Sequence, residues 1–351
     1  MSVGRLAERP VVLEQGAGSL RFDWMMVALS GGLVGGAYID AWAHEHGKVD
    51  NSFFTPWHGI LYSAMLIVAL FLVGTLLRNR LCGYSWRRAL PVGYGLSLLG
   101  VLVFSVGGVG DMIWHILFGV EVNLEALLSP THLVLALGWV LIVGGPLRAA
   151  WQRADYDDVQ GWIGLPKVFG LTYVLSVLTF FTIYANPFVH TLAASTWPGS
   201  SEVSQSLGVT AFLLQPALLM GIVLFGMRRW TLPFGALTWM LLINTALLSL
   251  LHDQYVLIPS AAFAGLLADG LLWLLRPSAD RLTALRLFAF AVPAILYALY
   301  FLTLLLTTGV AWSTHLWAGA IVLAGVVGLL LSYLVAPPAA PIEHRAPQPL
   351  R

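Results

Sequence analysis

The stretch AYIDAWAHEHGKVDNSFFTPWH, residues 37–58, decides how the chain is read, because GDMIWHILFGVEVNLEALLSPTH at 110–132 repeats its design. In each copy an Asp is followed four residues later by a His, Asp40 with His44 and Asp111 with His115. A polar loop comes next, then Thr-Pro-Trp-His or Ser-Pro-Thr-His, ending in His58 or His132. The copies are offset by 71 residues at the first two members and by 74 at the last. Residues four apart share one face of a helix, with Cβ atoms about 5–6 Å apart, so each copy points a carboxylate and an imidazole the same way. Thr55-Pro56 and Ser129-Pro130 read as an N-cap followed by Pro at the first helical position. That places His58 and His132 in the first turn of a new helix. Each copy predicts a helical hairpin gathering Asp, His and His at its bend.

Composition sets the surroundings. With 58% hydrophobic and 10% charged residues and a mean hydropathy of +0.82, the 351-residue chain lies outside the range of soluble domains. The expected fold is an all-α, polytopic membrane helical bundle. A crossing takes about 20 apolar residues, and such runs stand at 24–44, 56–77, 90–116, 130–147, 166–185, 207–226, 231–251, 256–275, 287–308 and 314–335. About ten transmembrane helices in five hairpins with internal repeats follow. Residues 1–22 read as a cytoplasmic tail with no signal-peptide pattern. Residues 23–336 read as the transmembrane domain, with 23–77 and 90–147 as repeated metal-binding hairpins, and 337–351 as a disordered Pro-rich tail.

Charge predicts orientation. All Lys and Arg residues except Lys48 fall in the tails or in the connections that the ten-helix map places on one side. Positive residues mark the cytoplasmic side, so both termini are expected there, in a multi-pass protein of the inner or plasma membrane. His44, His46, His58, His115, His132, His190, His252 and His315 then all fall in the outer bends. The scattered basic residues give no nucleic-acid-binding patch, and the single Cys82 excludes a multi-cysteine metal site.

Ionisable groups in a membrane are costly and usually functional. Asp40, His44, His58, Asp111, His115 and His132 read as ligands of a divalent transition metal. Imidazole and carboxylate suit copper, zinc, iron or manganese, and an incomplete set leaves positions open for chemistry. Two other readings stay open: Asp–His pairs bracing helix ends, or haem held by His58 and His132. Glu45 and His46 read as rim groups beside the ligands, while His190, His252 with Asp253, and His315 either complete the cluster or stand in wet loops. Asp269, deep in an apolar run, has no partner evident from sequence.

The Asp-x3-His spacing followed by a second His resembles the copper-binding motif in the membrane C subunit of particulate methane and ammonia monooxygenases. It falls here on Asp40, His44 and His58, and again on Asp111, His115 and His132, and covers under a tenth of the chain. That resemblance implies copper and oxygen chemistry. The histidine sets are also similar to those of membrane zinc hydrolases of the seven-helix ceramidase type, without their motif order. The expected function is a membrane metalloenzyme acting on a lipid or other apolar substrate, an oxidoreductase first and a hydrolase second. A metal transporter or metal-delivery protein, or a haem-binding electron-transfer subunit, is the alternative, with a partner subunit or homo-oligomer allowed by either.

Overall fold

A computed structural model describes residues 19–49, 54–119, 124–153, 164–197 and 201–337. The tails expected at 1–22 and 337–351 fall almost entirely outside these residues. Regular structure among the described residues is helical: α1 (Leu20–Glu45), α2 (Pro56–Leu81), α3 (Gly95–Phe118), α4 (Glu125–Leu128), α5 (Pro130–Val143) and α6 (Gly145–Gln152). There follow α7 (Leu165–Phe180), α8 (Glu202–Arg229), α9 (Ala236–Leu251), α10 (Ile258–Leu275), α11 (Leu282–Leu306) and α12 (Thr314–Val335).

Among the described residues seven helices are long and apolar enough to cross a membrane: α1, α2, α3, α8, α10 with its leading turn from Tyr255, α11 and α12. An eighth crossing results if α5 and α6, bent by 43° at their junction, count as one. The runs expected at 166–185 and 231–251 form helices of only 16 residues each, α7 and α9. At 1.5 Å per residue these reach about 24 Å, short of a hydrocarbon layer of about 30 Å. The described residues thus hold seven or eight candidate spans by length and composition, where the apolar runs alone suggested ten. Leu66, Leu70, Leu77, Leu99, Leu102, Val106, Val109, Leu302, Leu305 and Leu330 are among many large apolar side chains exposed along the long helices. So broad an apolar surface is foreign to soluble monomers and suits a lipid environment.

Local devices make these breaks affordable. The α5–α6 bend falls at Gly144-Gly145-Pro146, where proline interrupts the hydrogen-bond ladder. Arg148 covers the opening, donating to Leu141 O at 2.6 Å, Gly93 O at 3.0 Å and Ser97 Oγ at 2.8 Å. Beyond the end of α7, Gln215 of α8 donates from Nε2 to Ala185 O at 2.8 Å and Thr182 Oγ1 at 3.1 Å. Non-helical backbone at membrane depth needs such protein partners, since no water is there to supply them. Asp23, buried in the first turn of α1, accepts from Tyr94 Oη at 2.7 Å and pairs with Arg153 at 2.9 Å.

α1 runs through the middle, packed on α2, α5, α6, α7 and α9. α3 pairs with α5, α9 with α10, and α11 with α12, while α8 lies on α12. Glycines set the tightest approach: a Cβ on Gly138 would lie 2.6 Å from Phe104 N and 2.9 Å from Gly100 O, so α3 and α5 touch backbone to backbone. By contrast α2 and α3 meet sparsely, and a cavity opens between them.

Candidate metal centre

The sequence expectation for the two bends holds at the level of the caps. Thr55 Oγ1 accepts from His58 N at 3.1 Å and Ser129 Oγ from His132 N at 3.4 Å, with Pro56 and Pro130 in the first turns. Fixed caps of this kind set where the following rings point. α1 and α3 deliver Asp40 with His44 and Asp111 with His115 near their C-terminal ends.

The result is two triads. One ligand atom each from Asp40, His44 and His58, and likewise from Asp111, His115 and His132, lie within 4.8 Å of one another. Both groups can geometrically hold a metal ion. His58 Nε2 is 3.4 Å from Asp40 Oδ2, His115 Nε2 is 3.4 Å from Asp111 Oδ2, and His132 Nε2 is 3.4 Å from Asp111 Oδ1. The triads are neighbours, for Asp40 is within electrostatic reach of Asp111, and His44 of His115 and His132.

Three details are compatible with metal ligation. Hydrogen bonds involving a charged partner run to about 2.7–2.9 Å, shorter than these contacts. Two ligands of one tetrahedral ion bound at about 2.0–2.1 Å stand about 3.4 Å apart by geometry alone. Next, His115 Nδ1 lies 3.3 Å from Gly119 O, which can only accept, so Nδ1 carries the proton. Nε2 then faces the Asp111 carboxylate, donating to it in the protonated ring and offering its lone pair to a cation in the neutral one. Metal-binding histidines commonly donate their second N–H to a carbonyl in this way. Finally, Asp40 Oδ1 is buried with no hydrogen-bond partner, and a buried carboxylate oxygen left so is costly without compensation.

Two residues that support the second triad were not singled out as such by the sequence. Thr131 Oγ1 donates to Asp111 Oδ1 at 3.0 Å, and Ser129 Oγ lies 2.7 Å from His132 Nδ1, leaving Nε2 for the carboxylate. Tyr62 is a third omission. It is near both Asp40 and Asp111 electrostatically, and its ring lies tilted by 55° to that of His58, with centroids 6.4 Å apart. Its place four residues after His58, on the same helix face, was a readable signal.

A cavity of about 510 Å³ leads to this place, lined by His58, Tyr62, Met65, Leu66, Phe104 and Met112 among others. Its walls are almost wholly apolar, with Thr55, Ser105, Tyr62 and His58 the polar exceptions.

The flanking residues separate into groups. His46, capping α1, places Nδ1 2.8 Å from Trp42 O and Nε2 3.1 Å from Asp253 Oδ2. Asp253 holds His46 above the usual imidazole pKa, and the Tyr255 hydroxyl together with His46 holds Asp253 below the usual carboxylate pKa. Glu45 Oε2 lies 3.4 Å from His252 Nε2, and the His252 ring meets His190 with centroids 4.8 Å apart. Burial, aided by His252, pushes His190 down to about 4, so its ring is neutral. His315 stands exposed in the first turn of α12, with no contact to the other histidines among the described residues. Asp269 has a structural role. Its carboxylate accepts from Leu237 N at 3.1 Å, Thr238 N at 2.9 Å and Thr238 Oγ1 at 2.6 Å, and so caps the start of α9 from another helix.

No known protein family matches the chain, and neither a curated protein nor a solved structure does.

Proposed function

We propose that this protein is a multi-pass membrane metalloenzyme in which Asp40, His44, His58, Asp111, His115 and His132 bind one or two divalent transition-metal ions beside an apolar substrate cavity. The observation that carries this reading is the meeting of three features at His58: a ligand-spaced triad, a second triad within electrostatic reach, and a cavity with hydrocarbon walls. Three ligands per triad leave coordination positions free for dioxygen or water. Copper or iron fits oxidation, and zinc fits hydrolysis.

Cavity chemistry favours oxidation. Walls of Leu66, Met65, Phe104 and Met112 hold a hydrocarbon chain and offer little to orient an ester or amide. A C–H bond presents nothing to hydrolyse. The balanced reaction takes one hydrocarbon, one dioxygen, two electrons from a membrane reductant of the quinol class and two protons, and gives one alcohol and one water. His58 would hold the metal at the cavity edge, and Tyr62, which lines the same cavity, would supply a proton there. In a bilayer α7 and α9, too short to cross alone, would be completed by the Ile183–Ala185 turn and the segment before Ala236, giving ten crossings in five hairpins, the first two being repeats, with both ends cytoplasmic and the triads near the outer surface. Asp269 argues against a transmembrane ion path, because its oxygens are occupied by α9.

Elemental analysis of the full chain, purified without chelator, should find one or two first-row ions per chain, lowered when His58 or His132 is replaced by Ala. A metal-free parent that takes up none on titration would refute the proposal. With the metal known, incubation with a medium-chain alkane, a quinol and ¹⁸O₂ should give labelled alcohol. Label entering a lipid ester's products from H₂¹⁸O instead would assign hydrolysis. A Soret band in the purified protein would assign haem.

A further inference from the structure

We propose that the cavity between α2 and α3 is a slot for the unbranched hydrocarbon chain of a single-chain amphiphile, with the methyl end of the chain at Ala69 and its polar end toward His58. The slot is formed by α2 and α3 alone, while the choice of reacting carbon rests on the proposed metal centre. His58, Tyr62, Met65 and Ala69 recur three or four residues apart along α2, and Phe104, Gly108 and Met112 four apart along α3, so one face of each helix makes the wall.

Helix geometry sets the depth. Met112 follows Asp111 at the triad end of α3, and Phe104 lies toward the other end. From His58 to Ala69 α2 rises about 16 Å, and from Met112 to Phe104 α3 rises about 12 Å, at about 1.5 Å per residue. An extended chain advances about 1.2 Å per bond, a third of the reach of a peptide unit, so the slot takes about 10–14 carbons. The next residues on the two faces, Leu72 and Val101, are buried, and the slot closes there. Its depth is about half of a hydrocarbon layer of about 30 Å, the share of one leaflet.

Two side chains of the wall also face outward, Leu66 at 57% exposed and Val109 at 58%. The mouth therefore runs along the lipid side between the helices, and a chain enters sideways from the bilayer without crossing water. Partway down, the Tyr62 ring reaches across to α3. A Cβ on Gly108 would lie 2.9 Å from Tyr62 Cε1 and 3.1 Å from its Oη, and the ring meets Phe104 edge-on with centroids 6.3 Å apart. The narrowing admits a straight chain and refuses a branched or ring-bearing one.

Polarity orients the chain. Thr55, His58 and Tyr62 line the upper part of the slot. At the closed end Ser105 is the one polar residue of the lining, and its hydroxyl donates to Val101 O at 2.8 Å within α3. A head group driven to that end would lose its water and find no partner, whereas a methyl group gives up nothing. The methyl end therefore rests at Ala69, and the head of a longer chain stands above His58, beside the exposed Phe54. A metal held by the first triad then acts near the head, at a carbon whose place is constant when counted from the methyl end.

The probes are primary alcohols of six, twelve and eighteen carbons carrying a photoreactive diazirine at the methyl end. They are added to the full chain in phosphatidylcholine nanodiscs, irradiated with and without excess dodecanol, and located by peptide mass. Label that dodecanol suppresses should lie at Tyr62 and Met65 for the shortest probe, at Ala69 and Phe104 for the middle one, and no deeper for the longest. Ala69→Phe should lower the suppressible label at Phe104 by about 5–100-fold, the usual penalty for overfilling a packed space, and the milder Ala69→Leu should move it toward Met65. Leu70→Phe, at an exposed position on the lipid side, should change neither. The slot is refuted if dodecanol suppresses no label, as when the two-chain lipid of the disc already fills it. It is refuted equally if the label keeps descending at eighteen carbons, or if folded Ala69→Leu protein labels like the parent. Suppressible label in a chain that binds no metal would overturn the proposed function and leave the slot standing. Alkane oxidation by a chain whose label spreads evenly over the outer faces of α2 and α3 would do the reverse.

Discussion

Replacing Asp40 by Asn tests the metal reading at its most exposed point. In the folded chain Asp40 Oδ1 is buried without a hydrogen-bond partner, and Oδ2 lies 3.4 Å from His58 Nε2. If the carboxylate is a ligand, its charge is compensated by the ion, and neutralising it is equivalent to removing one partner of a buried ionic pair. Such removals cost about 3–5 kcal/mol. At about 1.4 kcal/mol per tenfold, affinity at the first triad should fall by about two to three and a half decades. The metal-free protein should respond in the opposite sense. An uncompensated carboxylate has gone, and an amide that can donate to His58 has come, so stability should hold or rise by up to about 1–3 kcal/mol. Two measurements on the same preparations decide the matter: metal affinity by competitive titration, and the unfolding temperature with and without metal. Parent and variant should unfold alike without metal, and only the parent should gain on adding it. Metal affinity within a few-fold of the parent, combined with a clear loss of metal-free stability, would show that Asp40 is a brace, and the reasoning from ligand spacing would fail.

Ser129→Ala should free the His132 ring and lower affinity at the second triad by about 10–100-fold, as losses behind a metal-bound histidine do; titration giving the parental value would sink this. Gly138→Ala must push α3 from α5, since the new Cβ would meet Phe104 N at 2.6 Å, and should cost about 1–3 kcal/mol in thermal unfolding. Gly32→Ala is its control, for a Cβ there meets nothing within 4 Å. Ala69→Phe, on the cavity wall, should reduce uptake of an apolar fluorescent probe without changing bound metal. A loss of metal would mean that cavity and triad are not separable.

Much of the helical layout was readable because the bilayer leaves only hydrophobicity and length to judge. The caps were readable too: Ser/Thr-Pro pairs announce a helix start from within four residues, and both Thr55 and Ser129 serve as expected. What escaped depends on partners remote in sequence. An apolar run of 20 residues reads the same whether it crosses the membrane or makes a 16-residue helix such as α7, wrapped on all sides by protein. Asp269 shows no partner in its own segment, since its donors lie 31 and 32 residues away at the start of α9. Likewise Glu45 and His252 are brought together by packing, and nothing local to either announces it. The cavity between α2 and α3 is a property of two surfaces that fail to match, which no single helix records.

Asp269 also affects how genetics on this protein should be read. A screen for lost activity would return substitutions at Asp40, Asp111 and Asp269 together, as acidic residues within apolar helices. Yet Asp269 faces the N–H groups at the start of α9, and losing an N-cap carboxylate costs about 0.5–2 kcal/mol in assembly. Asp269→Asn cells should therefore contain less of the protein, cleared by quality control, with the surviving molecules as active as the parent. Asp40→Asn cells should contain a normal amount of inactive protein. Counting molecules alongside activity sorts the two kinds of mutant without any structure.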